Sequence, residues 1–185
     1  MGQQILVTTD ELGVPTLRTY QPSSEETPTT AIPPETVENL PSECTFVFVH
    51  PDHLESVFHN AKNHEQIAKH MRRLRLVLLN PVANVSLTDT EANGGSEGPN
   101  ISPLFDKWWV ASRAIPRGHQ IEHLIFDVYS PQNIQRREIV RVLQGLSTTL
   151  ALKSDDHFQC SVEGCDEERK EWLEKSLVDR KRSKD

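Results

Sequence analysis

Cysteine is scarce: Cys44, Cys160 and Cys165 are the only three in 185 residues, an odd number that builds no disulfide framework. No apolar run approaches the roughly 18 residues that a membrane span requires. Met1 is not followed by the basic-then-apolar pattern of a secretory signal. The expectation is an intracellular protein, cytoplasmic or nuclear, with no membrane partner. Positive charge is also short, with 20 Lys and Arg against 27 Asp and Glu for a net charge of -7. That excludes a surface forming one continuous glove for nucleic acid but leaves room for a local basic patch. There is no internal repeat, and no G-x-x-x-x-G-K-[ST], G-x-G-x-x-G or H-E-x-x-H string.

What is present is a chain long enough for one domain, or a domain with tails. Hydrophobic residues make up 36% and charged residues 25%, so a core is feasible in a chain that is polar for its size. The charge is uneven. Residues 1–50 carry one base, Arg18, against seven acids, while residues 101–153 carry seven bases against four acids and form the one net-positive stretch.

Residues 1–20 read as an N-terminal hairpin around Asp10-Glu11-Leu12-Gly13. Residues 21–43 are a Pro-rich acidic linker, with too few large apolar side chains to offset ordering. Residues 44–153 make the core domain. Cys44 to Val49 is a buried strand. Asp52 and Glu55 stand at capping-box spacing, and Leu54, Val57, Phe58, Ile67 and Met71 continue a stripe for one kinked helix or two short ones over 52–73. Leu74 to Leu87 is strand-like on either side of Asn80-Pro81, and 88–100 is a flexible loop. Lys107 to Ile115 and His119 to Tyr129 read as a second hairpin about Pro116-Arg117-Gly118. On its second strand Leu124, Phe126 and Val128 share one face, and Ile121, His123, Ile125 and Asp127 the other. Ser130-Pro131 opens a helix striped by Ile139, Val142, Leu143, Leu146 and Leu150. Residues 154–185 are an acidic turn and a charged C-terminal helix with acids first and bases last, matching the backbone dipole. The fold class expected is α+β: an antiparallel or mixed sheet of about five to seven strands, two or three helices packed mainly on one face, plus the C-terminal helix.

Several short strings bear on chemistry. His119-Gln120-Ile121-Glu122-His123 resembles the H-x-x-E-H string of inverted zincin metallopeptidases over five residues. That chemistry needs both histidines one helical turn apart with the glutamate activating water, whereas a strand sets them roughly 13 Å apart. His119, Glu122, His123 and Asp127 are the candidate catalytic residues. Phe158 to Cys165 resembles the first arm of a C2H2 zinc finger, but Val178 and Arg182 stand where its histidines would be. His157, Cys160 and Cys165 are then the candidate metal ligands. No cofactor is expected, and zinc or another divalent ion is what such clusters would take. Gly94 to Gly98 fits the G-x-S-x-G string of serine hydrolases inside a polar, glycine-rich loop.

Arg72, Arg73 and Arg75, with Arg113, Arg117, Arg136, Arg137 and Arg141, supply the positive middle of the chain. A guanidinium donates two parallel bonds to phosphate or carboxylate, and Trp108, Trp109 and Tyr129 could stack bases beside it. Five of the eight histidines lie between 50 and 70, a candidate pH-responsive surface. Trp172, Leu173 and Leu177 make a narrow apolar seam of the kind that docks into a groove on another chain. The leading expectation is a non-catalytic protein-interaction domain, an adaptor or assembly module that uses extended arms and the C-terminal helix toward a protein partner or a second copy. The alternatives are a small metal-dependent hydrolase or nuclease-like enzyme centred on His119, Glu122, His123 and Asp127, and nucleic-acid or phosphate-ligand binding through the arginine set.

Overall fold

The computed structural model describes residues 2–20, 31–59, 61–79, 102–129, 136–153 and 158–182. Strands β1 (Gln4–Thr9) and β2 (Pro15–Thr19) form the expected hairpin, with Ile5, Val7 and Leu17 buried by simple alternation. Its turn is held by Asp10, whose carboxylate accepts the N–H groups of Leu12 (2.9 Å) and Val14 (2.8 Å). Gly13 supplies the positive φ of 75° that closes it.

Part of the expected linker is built into the domain. Ala31–Ile32 is a short edge strand, β3, paired with β2, and a 3-10 helix over Pro34–Asn39 buries Val37. Strands and helices then alternate along the chain: β4 (Thr45–Phe48), α1 (Pro51–His59), α2 (Ala61–His70), β5 (Arg73–Val77), α3 (Ser102–Ala114), β6 (His123–Asp127), α4 (Arg136–Ala151), β7 (Gln159–Glu163) and α5 (Glu167–Arg182). Of the two readings of this stretch, one kinked helix or two short ones, the structure has two, α1 ending at His59 and α2 beginning at Ala61.

The seven strands among the described residues join one mixed sheet in the order β3-β2-β1-β4-β5-β6-β7. The hairpin is therefore part of the core rather than an arm, because β1 lies parallel beside β4. From β4 to β7 each new strand is added parallel to the last and in the same direction. Crossovers of one hand on strands added in one direction place all the connecting helices on one face. The packing agrees: the buried residues of α1 to α5 join one cluster with Phe46, Phe48, Leu74, Leu76, Leu124, Phe126 and Val162. Val47 and Ile125, although buried, lie outside that cluster on the opposite face.

The hairpin expected over 107–129 is half right. His123–Asp127 is a strand with the expected faces, except that Ile121 precedes it and joins the core cluster instead of the His123 face, and Lys107 to Ala114 belongs to α3. Leu104, Phe105, Trp108, Ala111 and Ile115 are all buried, a spacing of three and four that only a helix turns to one side. The β-favouring pair Trp108-Trp109 is overridden by that longer stripe. Trp108 is fully buried, and Trp109 faces outward beneath the guanidinium of Arg113, 4.7 Å above its ring.

Lys153 ties the ends of two helices together. Its ammonium donates to the carbonyls of Ile115 (2.6 Å), Arg113 (2.8 Å) and Ser112 (3.3 Å), orphan acceptors at and just past the C-terminus of α3. Its own carbonyl accepts the Gly118 N–H. Lys153→Met keeps the aliphatic stem and removes the donor, so urea unfolding should show a loss of about 1–2 kcal/mol; unchanged stability would show that water replaces the ammonium without cost.

Candidate functional site

The strand register arranges the face opposite the helices in rows. At the amino ends Thr45, Arg73, His123 and Gln159 stand side by side across β4 to β7. Val47, Arg75, Ile125 and Ser161 form the next row, and Val77, Asp127 and Glu163 the last. Alternation alone puts these residues here, since their neighbours in sequence fill the core.

Arg75 dominates the centre. One guanidinium nitrogen lies 2.5 Å from Asp127 Oδ2, and the other lies 3.0 Å from Glu163 Oε2 and 3.3 Å from Gln4 Oε1. Only 9% of the Arg75 and Asp127 side chains remains exposed. The network thus runs from β1 to β7 across the sheet. The other Asp127 oxygen accepts the Tyr129 N–H at 3.0 Å. Burial raises the Tyr20 phenol above its ordinary range, with the Arg75 charge opposing and the Asp127 charge adding to that shift.

At the amino ends the face opens into a cleft of about 730 Å³. Ser42 and Glu43 line it ahead of β4, Arg72 and Arg73 at the start of β5, Glu122 and His123 at β6, and Gln159 at β7. Arg72 pairs with Glu122 at 3.0 Å. The ring of His123 lies 2.9 Å from the Ser161 hydroxyl through Nε2, and burial first, then the nearby Arg73 charge, lowers its pKa. Arg73 has no hydrogen-bond or ion-pair partner among the described residues, and its Nε is buried.

The carboxyl ends carry a different arrangement. β1 and β4 are adjacent parallel strands whose outgoing connections diverge, the geometry that opens a crevice in wound sheets. Here His53 spans it: its Nδ1 accepts the Thr9 N–H at 3.0 Å and lies 2.8 Å from the Thr9 hydroxyl. Accepting a backbone N–H at Nδ1 requires the neutral ring, and burial followed by the His50 charge lowers its pKa.

The candidate catalytic residues do not converge. His119 is buried on the helix side, where Nε2 donates to the Leu150 carbonyl and Nδ1 accepts the Ile121 N–H. His123 faces away on the other side of the sheet. Glu122 is committed to Arg72, and Asp127 to Arg75 at the far end of β6. The H-x-x-E-H string therefore lacks the helical winding that its zinc chemistry requires, because it spans a turn exit and a strand start. Among the described residues no group of three His, Cys, Asp or Glu could hold a metal ion. Cys160 and Cys165 are half-buried at β7 and beyond its end, and burial raises the Cys165 thiol. His157, loop 88–100 with Gly94 to Gly98, and Ser130-Pro131 lie outside the described residues.

The arginines divide. Arg113 is stacked on Trp109, Arg117 and Arg141 are exposed, and the side chains of Arg136 and Arg137 lie outside the described residues. The arginines that gather are Arg72, Arg73 and Arg75. Leu173 and Leu177 are buried in the chain's own core, and Glu174 accepts the Val162 N–H on the outer edge of β7 at 2.8 Å. Of the apolar seam Trp172 is accessible, while Leu173 and Leu177 face inward and Glu174 meets the edge of β7, so α5 also covers the sheet edge. Ser42, Glu43, Gln159, Ser161 and Glu163 were not singled out from sequence; only the period of two shared by Arg73 and Arg75, and by His123 and Asp127, hinted that such a face exists.

No protein-family model, curated protein or solved structure matches the chain. No helix among the described residues is long and apolar enough to cross a membrane.

Two measurements follow. His53 and His123 titrate below the ordinary 6.5 in the folded chain, so between those lowered values and 6.5 the unfolded chain holds protons that the native state lacks. Stability therefore rises with pH through that window and falls on acidification. Thermal unfolding should weaken from about pH 7 to about pH 5.5, less steeply in the His53→Gln, His123→Gln double variant; an equal slope would assign the loss to other groups. Separately, Gly164 has a φ of 80°, and a Cβ there would come within 2.3 Å of Asp127 Oδ1. Gly164→Ala should cost about 2 kcal/mol or more in chemical denaturation, and a neutral result would show that the turn after β7 is free to move.

Proposed function

We propose that the chain is a non-catalytic binding domain that engages its partner through the cleft at the amino ends of β4 to β7. The observation that carries this reading is the cleft itself. It gathers polar side chains from four separated chain segments, and one of them is a guanidinium with no partner of its own among the described residues. Concave sites with a few convergent polar groups are where ligands and partner segments seat. The same lining argues against a nucleic-acid backbone, because Glu43 and Glu122 offset Arg72 and Arg73 and leave no run of positive charge for successive phosphates.

The metal-hydrolase reading loses its residues to structural partners, as His119, Glu122 and Asp127 each serve another contact. The His123–Ser161 pair at the cleft is a base beside a hydroxyl, a geometric opening for catalysis. It sets the test. Purified protein is assayed for hydrolysis of p-nitrophenyl acetate and p-nitrophenyl phosphate, with and without added zinc or manganese, beside His123→Ala. In parallel, a fragment library is screened by NMR. Expected are no turnover that depends on His123, and perturbations concentrated at Arg73, His123 and Gln159 rather than at Trp172. Turnover abolished by His123→Ala would replace binding with catalysis, and perturbations centred on α5 would return the interface to that helix.

A further inference from the structure

The geometry points to a carboxylate as the group that the cleft receives, bound in the fork of Arg73; this rests on the cleft being the binding surface and adds the chemistry of its ligand. The three arginines of β5 and its approach make the case by comparison. Arg72 is matched by the Glu122 carboxylate, and Arg75 by those of Asp127 and Glu163. Arg73 sits between them in sequence, lines the cleft, and has no carboxylate, amide or carbonyl within bonding distance among the described residues. A guanidinium stays charged at any accessible pH, so unlike a lysine it cannot relieve this by losing a proton. Its planar fork fits the two oxygens of a carboxylate in parallel.

The charge of the lining selects the kind of anion. Once Arg72 and Glu122 have cancelled, Arg73 and Glu43 remain. One negative charge on the ligand is what Arg73 compensates, and a dianionic phosphate would bring a second charge toward Glu43 at a cost. In the same row, His123 stands directly beside Arg73, and Gln159 follows with an amide that donates to a bound oxygen. The volume of about 730 Å³ is in the range of small-molecule sites and far larger than an isolated acetate. The carboxylate is therefore carried on a larger body: a peptide's free C-terminus or a small organic acid, with Glu43 placed to meet a donor elsewhere on it.

The probes are acetyl-trialanine with a free carboxylate, the same peptide amidated, benzoate, and inorganic phosphate. They are titrated into the full chain while the Arg73 side-chain NMR signals are followed. Both carboxylate probes should shift those signals, whereas the amide and phosphate should bind at least about tenfold more weakly. The peptide acid binding more tightly than benzoate assigns the source to a chain terminus, and the reverse order to a small acid. Arg73→Gln should weaken carboxylate binding about tenfold, and Arg73→Lys, which keeps the charge without the fork, should fall between. Unchanged melting of the Lys variant would separate binding from folding. Equal binding of acid and amide, tighter binding of phosphate, or affinity unaffected by both substitutions would overturn the assignment. If fragments still perturb the cleft under any of those results, the binding surface stands and only its ligand chemistry falls; a His123-dependent turnover would remove the non-catalytic reading and leave the carboxylate fork intact.

Discussion

The face of the sheet away from the helices depends on one buried cation. Arg75 is taken almost wholly out of water, and such a charge is tolerable only when opposite charge and hydrogen bonds meet it at close range. Asp127, Glu163 and Gln4 do so from three other strands. The result is geometric as much as energetic. The chain must close tightly after β7, where Gly164 leaves space for the Asp127 carboxylate, and the loop after β6 must present the Tyr129 N–H to the same group. Asp127, which looks from sequence like a catalytic acid, is thereby a structural anion.

That constraint also separates the two ends of the sheet. At the carboxyl ends, side chains are consumed by the fold: Asp127 and Glu163 by Arg75, and His53 by Thr9. At the amino ends the same strands carry Arg73, His123 and Gln159, and the demand for partners is met only in part. Winding in one direction places every connecting helix on one side, so no described helix crosses this row. α5 closes the outer edge of β7 through Glu174 and adds Leu173 and Leu177 to the core. The amino-end row is where Arg73 is left without a partner among the described residues.

Much of the architecture was readable residue by residue. The alternation of Ile5 with Val7, the Asp10 to Gly13 turn, the stripe from Ile139 to Leu150 and the two faces of His123–Asp127 follow from period and local chemistry, and the structure agrees with each. Lys107 to Ile115 reads as a strand because the pair of tryptophans carries β-favouring side chains over a short window. The helical stripe becomes visible only when Leu104, Phe105 and Ile115 are counted with them. The linker hid β3, since a two-residue edge strand draws its order from pairing with β2 and not from its own side chains.

Local period and turn chemistry thus determined the N-terminal hairpin, the buried strand that begins after Cys44, the inward stripe from Ile139 to Leu150 and the two faces of His123–Asp127. Those are short-range properties, written in neighbours three or four positions apart on helices and two apart on strands. Tertiary structure alone decided that His119 and His123 face opposite sides of the sheet, that Arg75 takes the carboxylates of β6 and β7, and that Arg73 is left over beside a cleft. Which charges cancel depends on which strands lie side by side, and parallel neighbours are joined through contacts some fifty positions apart that no local pattern records.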